Sequence, residues 1–206
     1  MRGRSFAIAV LTVCLNAAAG CSVLAPQPDH TQFFVLSPMA EPTESPGIQG
    51  SVVALGPVKL PDYLSRLEIA TRTDENRLSF SDTKRWAEPL DVNFTRVLSQ
   101  DLAILMNLGE VVSYPWFADV KVDYQVPVQV SRFEADDGGN VVLQARWSVK
   151  AVKSGALVYA KDSRIVQEIV QEKGADDTAA VGAMNAAVTQ LAREIATVFG
   201  QIAAHR

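Results

Sequence analysis

Cysteine and histidine are scarce in this chain. Its two cysteines, Cys14 and Cys21, both lie within the first 21 residues, and its two histidines, His30 and His205, lie towards opposite ends. The sequence after Cys21 therefore offers no thiol for a disulfide, a nucleophile or a metal ligand. The separation of the two histidines argues against a histidine-based metal or catalytic site. An exported domain of this composition has to rest on its own hydrophobic core.

Clustered charge and catalytic motifs are missing as well. The net charge is −4, and no block of five or six like charges occurs. Proteins that bind nucleic acids carry clustered basic residues, so the composition argues against a nucleic-acid partner. The sequence holds no Gly-x-Ser-x-Gly, no His-Glu-x-x-His and no glycine-rich phosphate loop. We therefore expect neither enzyme activity nor a bound cofactor.

Residues 1–20 have the layout of a bacterial secretory signal peptide. Arg2 and Arg4 precede an apolar run from Phe6 to Leu15, and small residues follow at positions 17–20. The run is too short and too rich in small residues for a transmembrane helix, which needs about 20 apolar residues. We expect this segment to be removed on export.

The small residues before Cys21 resemble the lipobox of bacterial lipoproteins. Ala19 and Gly20 fit that motif, whereas Ala18 stands where the lipobox usually has Leu. The resemblance implies cleavage before Cys21 and acylation of its thiol with diacylglycerol, which would anchor the chain in a membrane. The alternative is an ordinary secreted protein that is cut near Ala19.

Residues 21–50 are predicted to form the lipidated N-terminus, a tether and a first short strand. Positions 22–29 are short, polar and proline-bearing, as in a flexible linker. A compact apolar strand is expected at 31–36, followed by a loop at 40–50 with two Pro and two Gly. Ser22, directly after the lipidated residue, is typical of lipoproteins delivered to the outer membrane. We expect the chain to be lipid-anchored on the periplasmic face of that membrane.

Residues 51–206 are predicted to form one domain whose hydrophobic periodicity switches between that of strands and that of helices. Strands are expected at 51–58, 67–72, 77–80, 111–114, 122–131, 141–150 and 156–170, with a bulge near Ser131. Gly56-Pro57 is expected to end the first of these. Apolar residues at helical spacing predict helices from Leu90 to Leu105 and from about Asp176 to Ile202. The order of these strands and helices along the chain predicts an α+β fold, in which two long helices pack on one face of a largely antiparallel sheet.

Four residues are candidates for a recognition surface: Tyr63, Arg66, Arg85 and Trp86. Each lies in a segment that joins charge to apolar contact area, a composition favoured at protein interfaces. The alternative is that these segments serve local packing and turn formation.

Several segments together resemble the ABC-type transport auxiliary lipoproteins, the PqiC-like family. They are 53–58 (VALGPV), 60–66 (LPDYLSR), 69–72 (IATR), 85–90 (RWAEPL), 96–102 (RVLSQDL), 114–116 (YPW), 133–134 (FE) and the strand at 143–147. The resemblance spans residues 33–199. It implies an outer-membrane lipoprotein in lipid traffic across the Gram-negative envelope, partnered with a mammalian-cell-entry (MCE) domain protein of the inner membrane. It also implies that ring-shaped homo-oligomers form.

Three functions follow from these observations. The first is a non-enzymatic adaptor that docks an MCE-type transporter to its target membrane. The second is a periplasmic carrier that holds an acyl chain in an apolar groove between sheet and helices. The third, an envelope hydrolase, lacks a visible nucleophile and base.

Overall fold

One eight-stranded sheet organises the domain. The computed structural model describes residues 29–39, 50–170 and 178–204. The strands are β1 (Gln32–Phe34), β2 (Val53–Lys59), β3 (Glu68–Asp74), β4 (Arg77–Trp86), β5 (Val112–Ser113), β6 (Tyr124–Asp136), β7 (Asn140–Ala151) and β8 (Leu157–Glu168). Their order is β1-β4-β3-β6-β2-β5, and β7 and β8 extend the sheet from the other edge of β6.

The sheet is mixed, so the prediction of a largely antiparallel sheet is only partly right. The pairs β3–β4, β6–β7 and β7–β8 are antiparallel, whereas β1–β4, β2–β5, β2–β6 and β3–β6 are parallel. The antiparallel pairs are hairpins between consecutive strands. The parallel pairs join strands that are distant in the sequence, because a crossover connection returns the chain to the same end of the sheet.

Two helices cover one face of this sheet, as the sequence predicts. Helix α1 spans Leu90–Leu105 and helix α2 spans Thr178–Ala204. Phe94 of α1 meets Phe133 edge to face with ring centroids 5.2 Å apart, and Phe199 of α2 meets Tyr124 at 5.6 Å. The apolar stripes of both helices are buried against the inward residues of β6 and β7.

The β6–β7 hairpin contains the predicted bulge. Val130 pairs with Ala145, and Arg132 pairs with Gln144, so Ser131 is the extra residue on β6. The bulge keeps Val130 and Phe133 on the helix-covered face although their spacing is odd. It thereby turns Arg132 and Glu134 towards the opposite face, which we call the open face.

Gly56-Pro57 does not end β2, contrary to the expectation from the sequence. The strand continues to Lys59, and its pairing with β6 shifts register between Leu55 and Val58. Gly56 has a φ of 111°, and a Cβ atom there would lie 3.0 Å from the Cβ of Tyr114. Glycine at position 56 therefore allows a bulge where β2 lies very close to Tyr114. The sequence pattern had indicated the end of the strand at this point.

The segment after β1 is fastened to the two helices by their polar side chains. The backbone N–H of Leu36 donates to Asn93 Oδ1 at 2.6 Å, and that of Met39 donates to Asp101 Oδ1 at 2.8 Å. On α2, Asn185 Oδ1 accepts from the N–H of Ser37 at 3.0 Å. An irregular segment without strand partners thus has its donors satisfied by side chains.

The N-terminal predictions lie outside the described residues. They are the signal peptide at 1–20, lipidation of Cys21 and the tether that follows it, and they stay predictions. Within the ranges that the structure describes, no helix has the length and apolar character needed to cross a membrane.

Candidate partner-binding surface

A buried ionic cluster holds the link between β2 and β3 in place. β2 pairs with β6 as far as Gln129, and β3 pairs with it only from Ala135. A short 3-10 helix at Asp62–Ser65 lies in the connection between β2 and β3. Its Tyr63 hydroxyl donates to Glu134 Oε2 at 2.7 Å. The sequence candidate Tyr63 therefore fastens this connection to the middle of the sheet.

Glu134 is the centre of that cluster. Its side chain is fully buried, and its Oε1 pairs with Arg72 Nε at 2.8 Å and with Arg132 Nε at 2.9 Å. Two guanidinium groups, a hydroxyl and the N–H of Phe133 satisfy the carboxylate, as burial of a charge requires. Burial and the adjacent Glu134 raise the pKa of Tyr63, so this phenol stays protonated and remains a donor.

A second ionic cluster lies on the open face at the β3–β4 pair. Arg66 and Arg85 both approach Glu68, at 3.4 Å and 3.7 Å respectively. A hydrogen bond from its own backbone and the neighbouring arginines lower the pKa of Glu68. The Arg66 guanidinium also lies 4.5 Å from the centre of the Phe80 ring, a cation–π contact. Two sequence candidates are therefore brought together by a residue that was not a candidate.

The row of side chains that contains Glu68 and Arg85 continues onto β1. Phe33 pairs with Arg85, and Arg85 pairs with Glu68, so the three side chains lie side by side on one face. The ring of Phe33 is 66% exposed. The Nε of Arg85 is buried and finds no acceptor among the described residues. We call Phe33, Arg66, Glu68, Phe80 and Arg85 the β1–β4–β3 patch.

Trp86 does not belong to this patch. It is 2% exposed and packs in the core, and it pairs with Phe34. Neighbouring residues of a strand point to opposite faces, so Arg85 and Trp86 separate even though they are adjacent in the sequence. Trp86 therefore packs in the core beneath the patch and leaves almost no area exposed for a partner.

The patch has the composition of a binding surface. Within the described ranges no group of three or more His, Cys, Asp or Glu residues is placed to hold a metal ion. Its chemistry consists of two arginines, one carboxylate and two aromatic rings, a composition typical of protein interfaces. Phe33, Glu68 and the buried Glu134 were not candidates, although residues 133–134 are among the segments that carry the family resemblance. Only the strand pairings bring them beside the candidate residues.

The fold and the patch define an α+β domain with one helix-covered face and one open, charged face. The model of the family described as ABC-type transport auxiliary lipoprotein component matches residues 34–196. The chain therefore belongs to this family, which confirms the resemblance seen in the sequence. Membership in a lipoprotein family implies that the chain is anchored to a membrane.

Solved structures share this fold. The crystal structure of an uncharacterised protein has a TM-score of 0.67 at 19% identity and covers 81% of this chain and 97% of that one. Protein XCC0632 from Xanthomonas campestris, of family DUF330, has a TM-score of 0.69 at 14% identity, with 85% and 100% covered. Identities this low show the fold alone. No curated protein sequence matches the chain.

Proposed function

We propose that this chain is the outer-membrane lipoprotein of an MCE-type lipid transport system, in which it acts as a non-enzymatic adaptor in the periplasm. The observation that carries the proposal is the family match over residues 34–196. The lipobox-like residues before Cys21 supply the anchor, and Ser22 favours the outer membrane. The partner is an MCE-domain protein that is anchored in the inner membrane.

The anchor makes a membrane-binding surface on the domain unnecessary. Buried methylene groups contribute about 0.8 kcal/mol each, and one acyl chain alone gives only marginal binding. Diacylglycerol on Cys21 supplies two chains, which is enough for stable attachment. The surface of the domain is then available for a protein partner.

We assign the docking of that partner to the β1–β4–β3 patch. Arg66 and Arg85 expose about half of their side chains, and they share the single carboxylate of Glu68. The patch therefore carries excess positive charge beside exposed aromatic area. An acidic partner surface can pair with the exposed parts of the Arg66 and Arg85 guanidinium groups.

Crosslinking in cells tests this assignment. A photo-crosslinking residue in place of Phe33 or Arg66 is expected to capture the MCE protein, and Arg85→Glu is expected to reduce that capture at least several-fold. Lys150→Glu is the matched control, because Lys150 is an exposed cation on β7, remote from β1, β4 and β3 in the strand order. Undiminished capture in Arg85→Glu would contradict the patch assignment. Capture of unrelated envelope proteins only would contradict the adaptor role.

The carrier alternative finds less support. A hollow between β3, β4 and the start of α2 has a volume of about 260 Å³, below the ~300–1,000 Å³ usual for ligand sites. A larger hollow of about 610 Å³ runs along the outer side of α1, where Asp91, Arg96 and Glu110 line it. The hollow is an open surface groove whose lining mixes these charges with Val92, Ala103 and Val111. It is not an enclosed apolar groove of the kind that would hold an acyl chain, so we do not propose this function.

A further inference from the structure

Two rows of polar side chains cross the open face of the sheet from β6 to β8. Their members are directly paired on neighbouring strands, with Gln129, Arg146 and Asp162 in the first row and Arg132, Gln144 and Arg164 in the second. The rows are two residues apart along β7, which separates them by about 7 Å. Members of both rows, together with the bulge residue Ser131, line a hollow of about 450 Å³. That volume lies within the ~300–1,000 Å³ usual for ligand sites.

Arg164 brings an uncompensated charge to this hollow. Its side chain is exposed, and no carboxylate or other acceptor pairs with it in the part of the chain that the structure describes. A guanidinium group stays charged at any physiological pH and offers several N–H donors in a planar fork. The wall formed by β8 therefore presents donors that are free to bind an anion.

Asp162 also lines the hollow, but Arg146 of β7 occupies both of its oxygens. Arg146 Nε donates to Oδ1 at 2.7 Å, and Nη2 donates to Oδ2 at 2.9 Å. These hydrogen bonds lower the pKa of Asp162, so its carboxylate stays ionised and holds the guanidinium in place. The Nη1 group of Arg146 takes no part in this contact. Two guanidinium groups thus face a single carboxylate, and the hollow keeps an excess of positive charge.

Two glutamines add neutral donors to the hollow. The side-chain amides of Gln129 and Gln144 form no hydrogen bond with the described residues, and the nitrogen of each amide can donate. The hollow thus collects donors from three strands. A carboxylate ligand has two oxygens, which one guanidinium fork satisfies, whereas a phosphate group has enough oxygens for donors from several sides. A phosphate group is therefore the anion that suits this arrangement.

A second hollow adjoins the first and leaves room for a group attached to the phosphate. It has a volume of about 260 Å³, and Gln129 and Arg146 line both hollows. Its other lining residues include Pro57, Pro127 and Lys59. Lys59 is exposed and has no partner among the described residues. A phosphate ester therefore finds both space and a further cation beside the first hollow.

We propose that the hollow lined by the two rows binds a phosphate group, which Arg164 and Arg146 hold together with the amides of Gln129 and Gln144. The phosphate belongs either to a free ion or small ester, or to a phospholipid headgroup. The site uses the face of the sheet and does not involve its edges. It rests on the strand registers and not on the proposed adaptor role, because it shares no residue with the β1–β4–β3 patch.

Calorimetric titration of the full chain with Cys21→Ser tests this site. The probes are inorganic phosphate, glycerol phosphate and dihexanoyl phosphatidylglycerol, a short-chain lipid that stays in solution. We expect saturable binding at one site per chain. Arg164→Ala should weaken that binding about ten-fold or more, because hydrogen bonds to charged groups are the strong ones. Lys150→Ala is the matched control, since it removes an exposed cation from the same strand as Arg146 but outside the hollow, and it should change the affinity less than about two-fold.

The probes distinguish the sources of the phosphate. Binding of inorganic phosphate or glycerol phosphate that Arg164→Ala weakens shows that the phosphate group is sufficient, and such binding of the lipid alone identifies a headgroup site. The proposal is overturned if no probe binds, if binding survives Arg164→Ala, or if Lys150→Ala weakens it equally. It is overturned as well if acetate binds as tightly as the phosphate probes, since the site then selects charge alone. Circular dichroism of each variant establishes that the fold is retained.

Discussion

Asp101 joins three parts of the domain, and its replacement separates the effect of its charge from that of its hydrogen bonds. It lies on α1 with no exposed surface. Its Oδ1 accepts from the N–H of Met39 at 2.8 Å, and its Oδ2 accepts from the hydroxyl of Thr189 on α2 at 2.8 Å. The segment after β1 and both helices therefore meet at one carboxylate.

Asp101→Ala removes both acceptors. A buried donor left without a partner costs about 1–3 kcal/mol, and we take about 1 kcal/mol for each because Met39 and Thr189 are only half-buried. The free energy of unfolding should then fall by about 2 kcal/mol. For a chain of this size each kcal/mol shifts Tm by about 2–4 °C, so we expect Tm to fall by about 4–8 °C.

Asp101→Asn should behave differently. The amide oxygen can still accept from Met39, and the amide nitrogen can donate to the Thr189 hydroxyl, which is able to accept. The substitution also removes a buried charge. We therefore expect a free energy of unfolding within about 1 kcal/mol of the wild type at neutral pH.

The pH dependence distinguishes the two effects. Burial raises the pKa of Asp101 in the folded state, although the hydrogen bonds from Met39 and Thr189 and the charge of Arg193 oppose this. A raised pKa means that the folded protein binds the proton more tightly than the unfolded chain does. The stabilisation that this tighter proton binding provides is present at acidic pH and is lost as the pH rises through the pKa of Asp101 in the folded state. As the pH rises through this pKa, the free energy of unfolding of the wild type should fall relative to that of Asp101→Asn.

Urea unfolding of the wild type, Asp101→Asn and Asp101→Ala at several pH values from acidic to neutral measures these differences. The comparison with Asn cancels the titration of the other carboxylates, because all variants share them. The reasoning is refuted if Asp101→Ala is as stable as the wild type. It is refuted as well if the wild type gains stability relative to Asp101→Asn as the pH rises.

Three further predictions concern two buried residues and the proposed lipid anchor. Trp147→Ala should lower the free energy of unfolding by about 3–5 kcal/mol, because the ring is buried and its Nε1 donates to Ser163 at 2.9 Å; an unchanged Tm would contradict its place in the core. Tyr63→Phe should cost about 1.5 kcal/mol in urea unfolding, since Glu134 loses one of several donors; no loss would show that this bond contributes nothing. Cys21→Ser should move the protein to the soluble periplasmic fraction, whereas continued flotation with outer membranes would rule out the acyl anchor.

Local patterns in the sequence predicted much of the fold. The buried positions of α1 follow the spacing of three and four from Leu90 to Leu105. The β6–β7 hairpin and its bulge at Ser131 follow from alternation and a change of parity. These features depend on residues that are close in the chain. The parallel pairs of β2 with β5 and β6 join distant segments, and no local pattern encodes them.

The candidate surface was likewise predictable only where it depends on residues that are close in the chain. Arg66 and Arg85 were identifiable by composition, but their meeting at Glu68 depends on the β3–β4 register. Trp86 was grouped with Arg85 because the two are adjacent. In a strand that adjacency places them on opposite faces, and Trp86 is buried. A bulky aromatic residue beside a charge is therefore an ambiguous signal until its secondary structure is known.

Chain length links the proposed anchor to the proposed docking patch. Eleven residues lead from Cys21 to Gln32, the first residue of β1. A fully extended chain of that length spans at most about 40 Å. Since Phe33 on β1 belongs to the β1–β4–β3 patch, an acylated Cys21 keeps the patch within about that distance of the membrane. In the proposed adaptor role, a partner that docks there has to bring its own end close to the outer membrane, which is the position that the proposed delivery of a lipid requires.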